Sequence, residues 1–269
     1  MIKFYKMHGL GNDFVIIFSK NSNFSEEKIK FLCDRKVGIG CDLLVILSES
    51  TEKISDYSAV FYNSDGTRAE TCGNALRCIG KLHYERKAEL NCLVETDSGL
   101  IDVEYIDDKN ICVDLGIPKF NWKEIPLNHN IDNLDLGIKL DYLKGGFALN
   151  MGNPHLIFFV EKLDSNRLIN DSKVIINGPL FPEGVNISSV KIESKETFSL
   201  NTFERGVGLT SACGTGASAG FVAAYKMDLI NQKAVAIMKG GKLSVEIKND
   251  NHILITGNAI KVYEGEIVI

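Results

Sequence analysis

The chain repeats itself at a nearly constant offset, and that repeat restricts its fold more than any other feature. Thr71-Cys72-Gly73-Asn74 has a counterpart in Ala212-Cys213-Gly214-Thr215-Gly216, with the cysteines 213 − 72 = 141 positions apart. Gly11-Asn12 before Phe14-Val15-Ile16-Ile17-Phe18 maps at the same offset onto Gly152-Asn153 before His155-Leu156-Ile157-Phe158-Phe159. Asn63-Ser64 maps onto Glu204-Arg205. With one residue of slip, Gly99 to Glu104 falls on Gly241 to Glu246, and Ile111-Cys112-Val113 on Ile253-Leu254-Ile255. These four matches, in one order with the cysteine pair, indicate a duplicated domain. Each half reads as strand, mixed segment, strand, Cys-Gly helix, strand, Gly turn, strand.

Each cysteine opens a run with helical spacing. Ala75, Leu76, Cys78, Ile79, Leu82 and Tyr84 follow Cys72, and Ala217, Ala219, Phe221, Val222 and Tyr225 follow Cys213. A cysteine at a helix N-terminus meets unpaired N–H groups and the positive end of the helix dipole, which favour thiolate over thiol. The other five cysteines have a plainer reading. Cys33 and Cys78 fit apolar helix faces, Cys92 and Cys112 fit apolar strands, and Cys41 sits in the turn-like Gly38-Ile39-Gly40-Cys41. Free cysteine is commonly a small buried hydrophobe. The odd count of seven, with no C-x-x-C, speaks against a disulfide scaffold, a zinc site or a thioredoxin-like pair.

At 269 residues the chain suits two domains of ordinary size. We place the first at 1–116 with a returning strand at 258–269, and the second at 117–257. A net charge of −5 without a basic cluster gives no reason to expect nucleic acid. No apolar run is long enough to span a membrane and Met1 to Leu10 has no signal-like apolar core, so the expected compartment is the cytoplasm.

Along the chain, Met1 to Tyr5 and Phe14 to Phe18 read as strands around the loop His8-Gly9-Leu10-Gly11-Asn12-Asp13. Ser25 caps a helix through about Arg35. Leu43 to Leu47, Ser58 to Tyr62, Leu93 to Thr96, Gly99 to Ile106 and Ile111 to Leu115 read as strands. The stretch from Gly116 to Asn150 says less, its Pro118 and Pro126 suggesting a connection. Leu156 to Val160 is a strand, Asp164 to Asn170 is helix-like, 177–184 is a loop, and Asn186 begins a strand. Short strands with one central helix per half point to an α+β, barrel-like domain used twice. Gly9-Leu10-Gly11 lacks the third glycine and the following helix of a dinucleotide motif, and there is no P-loop.

Two helix-cap thiols, brought together by pseudo-two-fold packing, can act on one carbon from opposite sides. One thiolate removes a proton while the other thiol delivers one, which inverts the centre and needs no pyridoxal lysine. Amides of Gly73-Asn74 and Gly214-Thr215 can hold a substrate carboxylate and stabilise the charge that the carbanion pushes onto it.

Asn63-Ser64-Asp65-Gly66 through Cys72-Gly73-Asn74, Met151-Gly152-Asn153-Pro154-His155, Glu204-Arg205-Gly206-Val207-Gly208 through Cys213-Gly214-Thr215-Gly216, and His8-Gly9-Leu10-Gly11-Asn12-Asp13-Phe14 together resemble diaminopimelate epimerases, essentially from end to end. The resemblance implies two β-barrel-like domains, each wrapped around a central helix, with the active site in the cleft between them and usually a homodimer. It implies Cys72 and Cys213 as the acid/base pair, no metal and no other cofactor. Gly73, Asn74, Gly214 and Thr215 would hold the α-carboxylate, while Asn12, Asn63, Asn153, Asn186, Glu204 and Arg205 would grip the amines and the distal carboxylate. Arg205 suits the latter because its fork binds both oxygens.

The chain departs from that pattern twice. Leu43 stands where Gln or Gly is usual, and Ala75 where Gly is usual. Leu43 bears on the substrate more than on the reaction, so a relative that racemises another amino acid, such as histidine, stands as the alternative. Readings from other classes are a redox or structural protein with a Cys72–Cys213 disulfide, and a non-catalytic binding module.

Overall fold

The computed structural model of the protein describes residues 1–20, 23–50 and 54–268; residue 269, the end of the expected returning segment, lies outside them. The chain divides into two compact units, Met1–Asp114 with Thr256–Ile269, and Leu115–Ile255.

In the first unit the apolar runs at 14–18 and 43–47 show no alternation because both faces of these strands are buried. Strand Asn12–Phe18 pairs in parallel with Leu43–Glu49, Phe14 opposite Leu43, and the latter runs antiparallel to Tyr57–Asn63, Leu43 opposite Asn63. Val15, Ile17, Leu44, Ile46 and Val60 pack with Ile29, Leu32 and Cys33 of helix α1 (Glu26–Cys33). The opposite set, including Phe14, Ile16 and Val45, is also buried. Helix α2 (Gly73–Lys87) packs against Ile2–Gly9, Asn12–Phe18, Asn91–Thr96, Gly99–Asp107 and Asn110–Asp114. It ends at Ala88 in the left-handed region, φ 57°, with Arg86 and Lys87 in the last turn to complement its dipole. Strand Ile260–Ile267 returns antiparallel along Ile2–Gly9.

The second unit uses the same order. Phe147–Asn150 and Pro154–Phe159 form an antiparallel pair, His155 lies opposite Asn186 in a parallel pairing with Asn186–Ser194, and Thr197–Glu204 follows antiparallel. Helix α3 (Ser165–Ile176) contributes Leu168 and Ile175 to an outer cluster with Leu156, Phe158 and Ile187. Helix α4 (Gly214–Lys226) is buried at every position from Gly214 to Ala224 and packs against strands that include Pro154–Phe159, Asn186–Ser194 and Gly241–Ile247. An all-round apolar helix is stable only inside such a wall. The expected α+β duplication, with a central helix in each half, is therefore the observed architecture.

Three boundaries differ from the sequence reading. The first two strands run on to Gly9 and restart at Asn12, so the loop shrinks to Leu10-Gly11, whose φ values of 56° and 81° are those of a tight hairpin turn. Helix α1 stops at Cys33 because Asp34 Oδ1 captures Lys36 N at 2.7 Å and Val37 N at 3.0 Å. Helix α3 continues to Ile176, with Asp164 as its cap accepting from Asn166 N and Arg167 N.

Candidate active site

Cys72 and Cys213 occupy the N-cap positions of the two central helices, both with extended backbone, φ −146° and −125°. The first intrahelical bonds are Leu76 N to Cys72 O at 2.9 Å and Ala217 N to Cys213 O at 3.0 Å. The N–H groups of residues 73–75 and 214–216 precede those bonds in the first turn of each helix, where the backbone i→i−4 ladder has not begun. Gly73, Asn74, Gly214 and Thr215, the expected carboxylate holders, all fall in these first turns and are buried. All seven cysteines are free; the five given the plainer reading are buried, while Cys72 is half-buried.

The two thiols are held differently. Cys213 Sγ accepts from Gly216 N at 3.3 Å and lies 3.6 Å from Thr215 Oγ1. Cys72 makes no cap bond to its own helix, and its Sγ donates instead to Asn12 Oδ1 at 3.7 Å. The two halves also differ at the third helical residue: Ala75 corresponds by 75 + 141 = 216 to a glycine in the other half. A Cβ on Gly216 would lie 3.2 Å from Cys213 Sγ and 2.9 Å from Thr202 Oγ1, so a side chain there would crowd the sulfur.

Asn12 and Asn74 meet in the first unit. Asn74 Nδ2 donates to Asn12 Oδ1 at 3.3 Å, and Asn12 Nδ2 donates to Asp42 Oδ2 at 3.0 Å. Asp42 also accepts from Arg35, whose guanidinium forks onto Asp13 at 2.9 and 2.7 Å. Burial would raise the Asp13 carboxyl, but its bonds to Arg35 and Lys6 override this and hold it well below the usual carboxylate range. Asn63, half-buried, donates to Thr67 Oγ1 at 2.9 Å. Leu43, opposite Asn63, holds the register that Asn186 holds in the second unit.

The other expected substrate residues cluster in the second unit. Asn186 is 4% exposed, accepts from Arg205 N at 2.9 Å and donates to Pro154 O at 3.0 Å. Its side chain therefore buttresses Arg205 instead of standing open. The exposed Arg205 donates from Nη1 to Glu183 O at 2.8 Å and lies across Gly184, where a Cβ would come within 2.8 Å of its Cδ. Glu204 accepts from Thr210 Oγ1. Asn153 Oδ1 takes a bond from His155 Nε2 at 2.8 Å. His155 is fully buried, and burial, reinforced by Arg205, pushes its pKa down to about 3, so the ring is neutral. A neutral ring that donates from Nε2 fixes Asn153 with its amide nitrogen directed elsewhere.

Asp42, Arg77 and His155, which bond to the expected site residues Asn12, Asn74 and Asn153, were passed over by the residue-by-residue reading. His155 lay inside a quoted motif, and Asp42 stands directly between Cys41 and Leu43. Arg77 carried a signal of its own, a charge among Ala75, Leu76, Cys78 and Ile79 on an apolar helix. Among the described residues, Asp56, His83 and Glu89 bring ligand atoms within 4.8 Å of one another. Lys87 Nζ, 3.6 Å from Asp56, already supplies a cation there.

With this geometry in place, comparison with known proteins is informative. The sequence model of the family "Diaminopimelate epimerase" matches residues 4–121 and 147–263. The diaminopimelate epimerase of Zymomonas mobilis subsp. mobilis is 37% identical over 265 residues, covering 98% of this chain and 96% of the relative. That of Erythrobacter litoralis is 38% identical over 267 residues, with the same coverages of 98% and 96%. Among solved structures, a probable proline racemase from Agrobacterium radiobacter K84 superposes with a TM-score of 0.76 at 15% identity, covering 100% of this chain and 93% of that one. A hydroxyproline epimerase from Agrobacterium vitis gives 0.74 at 12%, covering 98% and 91%. At such identities these two structures speak for the fold alone.

Proposed function

Because the chain belongs to the diaminopimelate epimerase family, we propose that it interconverts LL- and meso-diaminopimelate by a two-thiol mechanism. The enzyme is an isomerase that epimerises an amino acid without a cofactor. The observation that carries the mechanism is the paired placement of Cys72 and Cys213, each at the N-cap of the buried central helix of its half.

In this reading one thiolate takes the α-proton and the opposite thiol returns a proton to the other face, so the two exchange protonation states with each turnover. Both must therefore reach a single α-carbon. Amides at 73–74 and 214–215 receive the α-carboxylate, whose charge grows as the carbanion forms; preorganised donors act most strongly at that point. Arg205, anchored through Asn186 and Glu183, takes the distal carboxylate together with the amide nitrogen of Asn153, and Glu204 takes the distal amine. Asn12 and Asn63 complete the contacts to the substrate. Leu43 makes one wall more apolar without removing any of these groups. The same reading takes the enzyme as a cytoplasmic homodimer; among the described residues no helix is long and apolar enough to cross a membrane.

The test is a panel of diaminopimelate, lanthionine, histidine, lysine and glutamate, followed by chiral chromatography. Inversion of diaminopimelate, with most of kcat/KM lost in Arg205→Met, is the expected result. Turnover of histidine but not of diaminopimelate would overturn the substrate assignment, and Arg205→Met would then cost little.

A further inference from the structure

Cys33 and Cys41 take no part in the chemistry at Cys72 and Cys213, yet the fold sets them side by side. Cys33 ends α1, and Cys41 lies at the close of the loop that leads into strand Leu43–Glu49. Cys41 Sγ donates to Cys33 Sγ across 3.5 Å, and both residues are buried. Backbone bonds hold the pair in place. Cys41 N donates to Cys33 O at 3.1 Å, and Gly40 N and Ile39 N both donate to Leu32 O, at 3.0 and 3.1 Å. An amide bonded to the other residue's carbonyl keeps the two Cα atoms within the few ångströms that a disulfide spans. Joining the sulfurs therefore takes side-chain rotation and a small shift, with no rebuilding of the backbone.

The two thiols are unequal. The S–H bond from Cys41 outweighs burial and holds Cys33 below the ordinary thiol value of 9.0. Donating that bond and being buried both push Cys41 up. Cys33 is thus the nucleophile of the pair and Cys41 the resolving thiol. Cys78 and Cys92 provide the contrast, since burial pushes each up to about 12.

The loop between the cysteines bears on the site. Arg35 forks onto Asp13 and reaches Asp42 Oδ1 at 2.8 Å. Asp42, next to Cys41, accepts from Asn12 Nδ2 at 3.0 Å, and the carbonyl of Gly40 accepts from Lys6 Nζ. A bond between the cysteines would tie both ends of the loop that carries these supports.

We propose that Cys33 and Cys41 form a redox modification site, at which a hydroperoxide converts the dithiol to a disulfide that locks loop 34–40. With hydrogen peroxide, the Cys33 thiolate attacks one oxygen, the O–O bond breaks, and the other oxygen leaves as hydroxide, which the Cys33 proton turns to water. The Cys41 sulfur then attacks the sulfenic acid on Cys33. The S–O bond breaks, the S–S bond forms, and the oxygen departs as a second water with the Cys41 proton. The thiols are oxidised by two electrons and the peroxide is reduced. Burial of both sulfurs restricts the oxidant to a molecule of this size. Small thiols reverse the bond by exchange, so it is transient in a reducing compartment. Formation of the bond does not depend on the epimerase reading; only its bearing on Asn12 as a substrate contact does.

The experiment treats the whole protein with hydrogen peroxide, blocks remaining thiols with N-ethylmaleimide and maps disulfides by mass spectrometry before and after dithiothreitol. Trypsin cleaves after Arg35 and Lys36, between the two cysteines, so the bond appears as a linked pair of peptides. That pair should form and vanish with dithiothreitol, while Cys78 and Cys92 stay reduced. In Cys41→Ala, dimedone should trap a sulfenic acid on Cys33; in Cys33→Ala it should trap none on Cys41. Amide hydrogen exchange across 34–41 should slow about tenfold in the oxidised protein, the effect of a covalent constraint on local opening. Failure to form the linked pair overturns the proposal, whether Cys33 stays reduced, over-oxidises or bonds to another cysteine. So does unchanged exchange in protein that carries the bond. The double variant Cys72→Ser, Cys213→Ser repeats the mapping with the acid–base thiols removed. Failure of the epimerase reading would show instead as full activity in Cys72→Ala, and would leave these outcomes unmoved.

Discussion

The backbone N–H of Gly216 donates to Cys213 Sγ across 3.3 Å, with no side chain at Gly216 to crowd the sulfur. A Cβ there would stand 3.2 Å from that sulfur and 2.9 Å from Thr202 Oγ1. Gly216→Ala should therefore lower kcat by about tenfold or more, on the scale of one hydrogen bond to a charged group. Alkylation of Cys213 should slow as well, with Cys72 unaffected. Turnover within twofold of wild type would show that the amide has no part in the chemistry.

Replacing either thiol by hydroxyl keeps the shape and removes the acidity. Cys72→Ser and Cys213→Ser should each lose on the order of 10² or more in kcat, the usual range of general acid–base effects. Thermal melting should remain close to wild type, since Cys72 is only half-buried and serine is a good N-cap. Near wild-type turnover in both variants is incompatible with the two-thiol mechanism.

Asn186→Leu tests the buttress by installing the residue that the first half carries at the equivalent position. It would strip Arg205 N and Pro154 O of their partners, at a cost of about 1–3 kcal/mol for each group left unsatisfied. With Arg205 no longer anchored, KM for a bis-amino diacid should rise about tenfold while kcat changes less. A KM equal to wild type would mean that Arg205 holds its place without Asn186.

Acid should weaken the fold through His155. Its ordinary value is 6.5 and its folded value about 3, because burial, with Arg205, opposes the charged form. Above the ordinary value the ring is neutral in both folded and unfolded chains, and the full stability is present. Between there and about 3 only the unfolded chain takes the proton, so stability falls on the order of 1 kcal/mol per pH unit. His83, lowered chiefly by its burial, acts in the same direction. Asp13, held below its ordinary 3.8, contributes stability that is present above that value and is lost only in stronger acid. His155→Phe should flatten the dependence of the urea midpoint between pH 7 and pH 5; an unaltered slope would place the acid sensitivity elsewhere.

The duplication, the central helices and both thiols were legible in the sequence because each leaves a local mark: a fixed offset, helical spacing, a cysteine before glycine. Strands such as 14–18 and 43–47 were legible as continuous apolar runs. The network around Asn12 was not, since Asp42, Asn74 and Arg77 meet through parallel strand pairing and helix packing that no spacing rule records. The stop of α1 at Cys33 depended on one side chain, Asp34, choosing backbone N–H groups over solvent. Asn186 was expected as a polar residue of the site from the resemblance, but its burial against Arg205 N and Pro154 O belongs to the fold.

The antiparallel pairing of Ile260–Ile267 with Ile2–Gly9 makes the first unit wait for the last part of the chain. During synthesis the ribosome must deliver the whole of Leu115–Ile255 before that strand emerges, so the second unit can close while the first still lacks an edge. The delay reaches the inside of the unit as well, because Asn258, whose carbonyl receives Arg77 Nε, arrives with the same late segment. Contacts spanning so much sequence form slowly. The half translated first is thus the half completed last, and the buried Arg77 gains its full set of partners only at the end of folding.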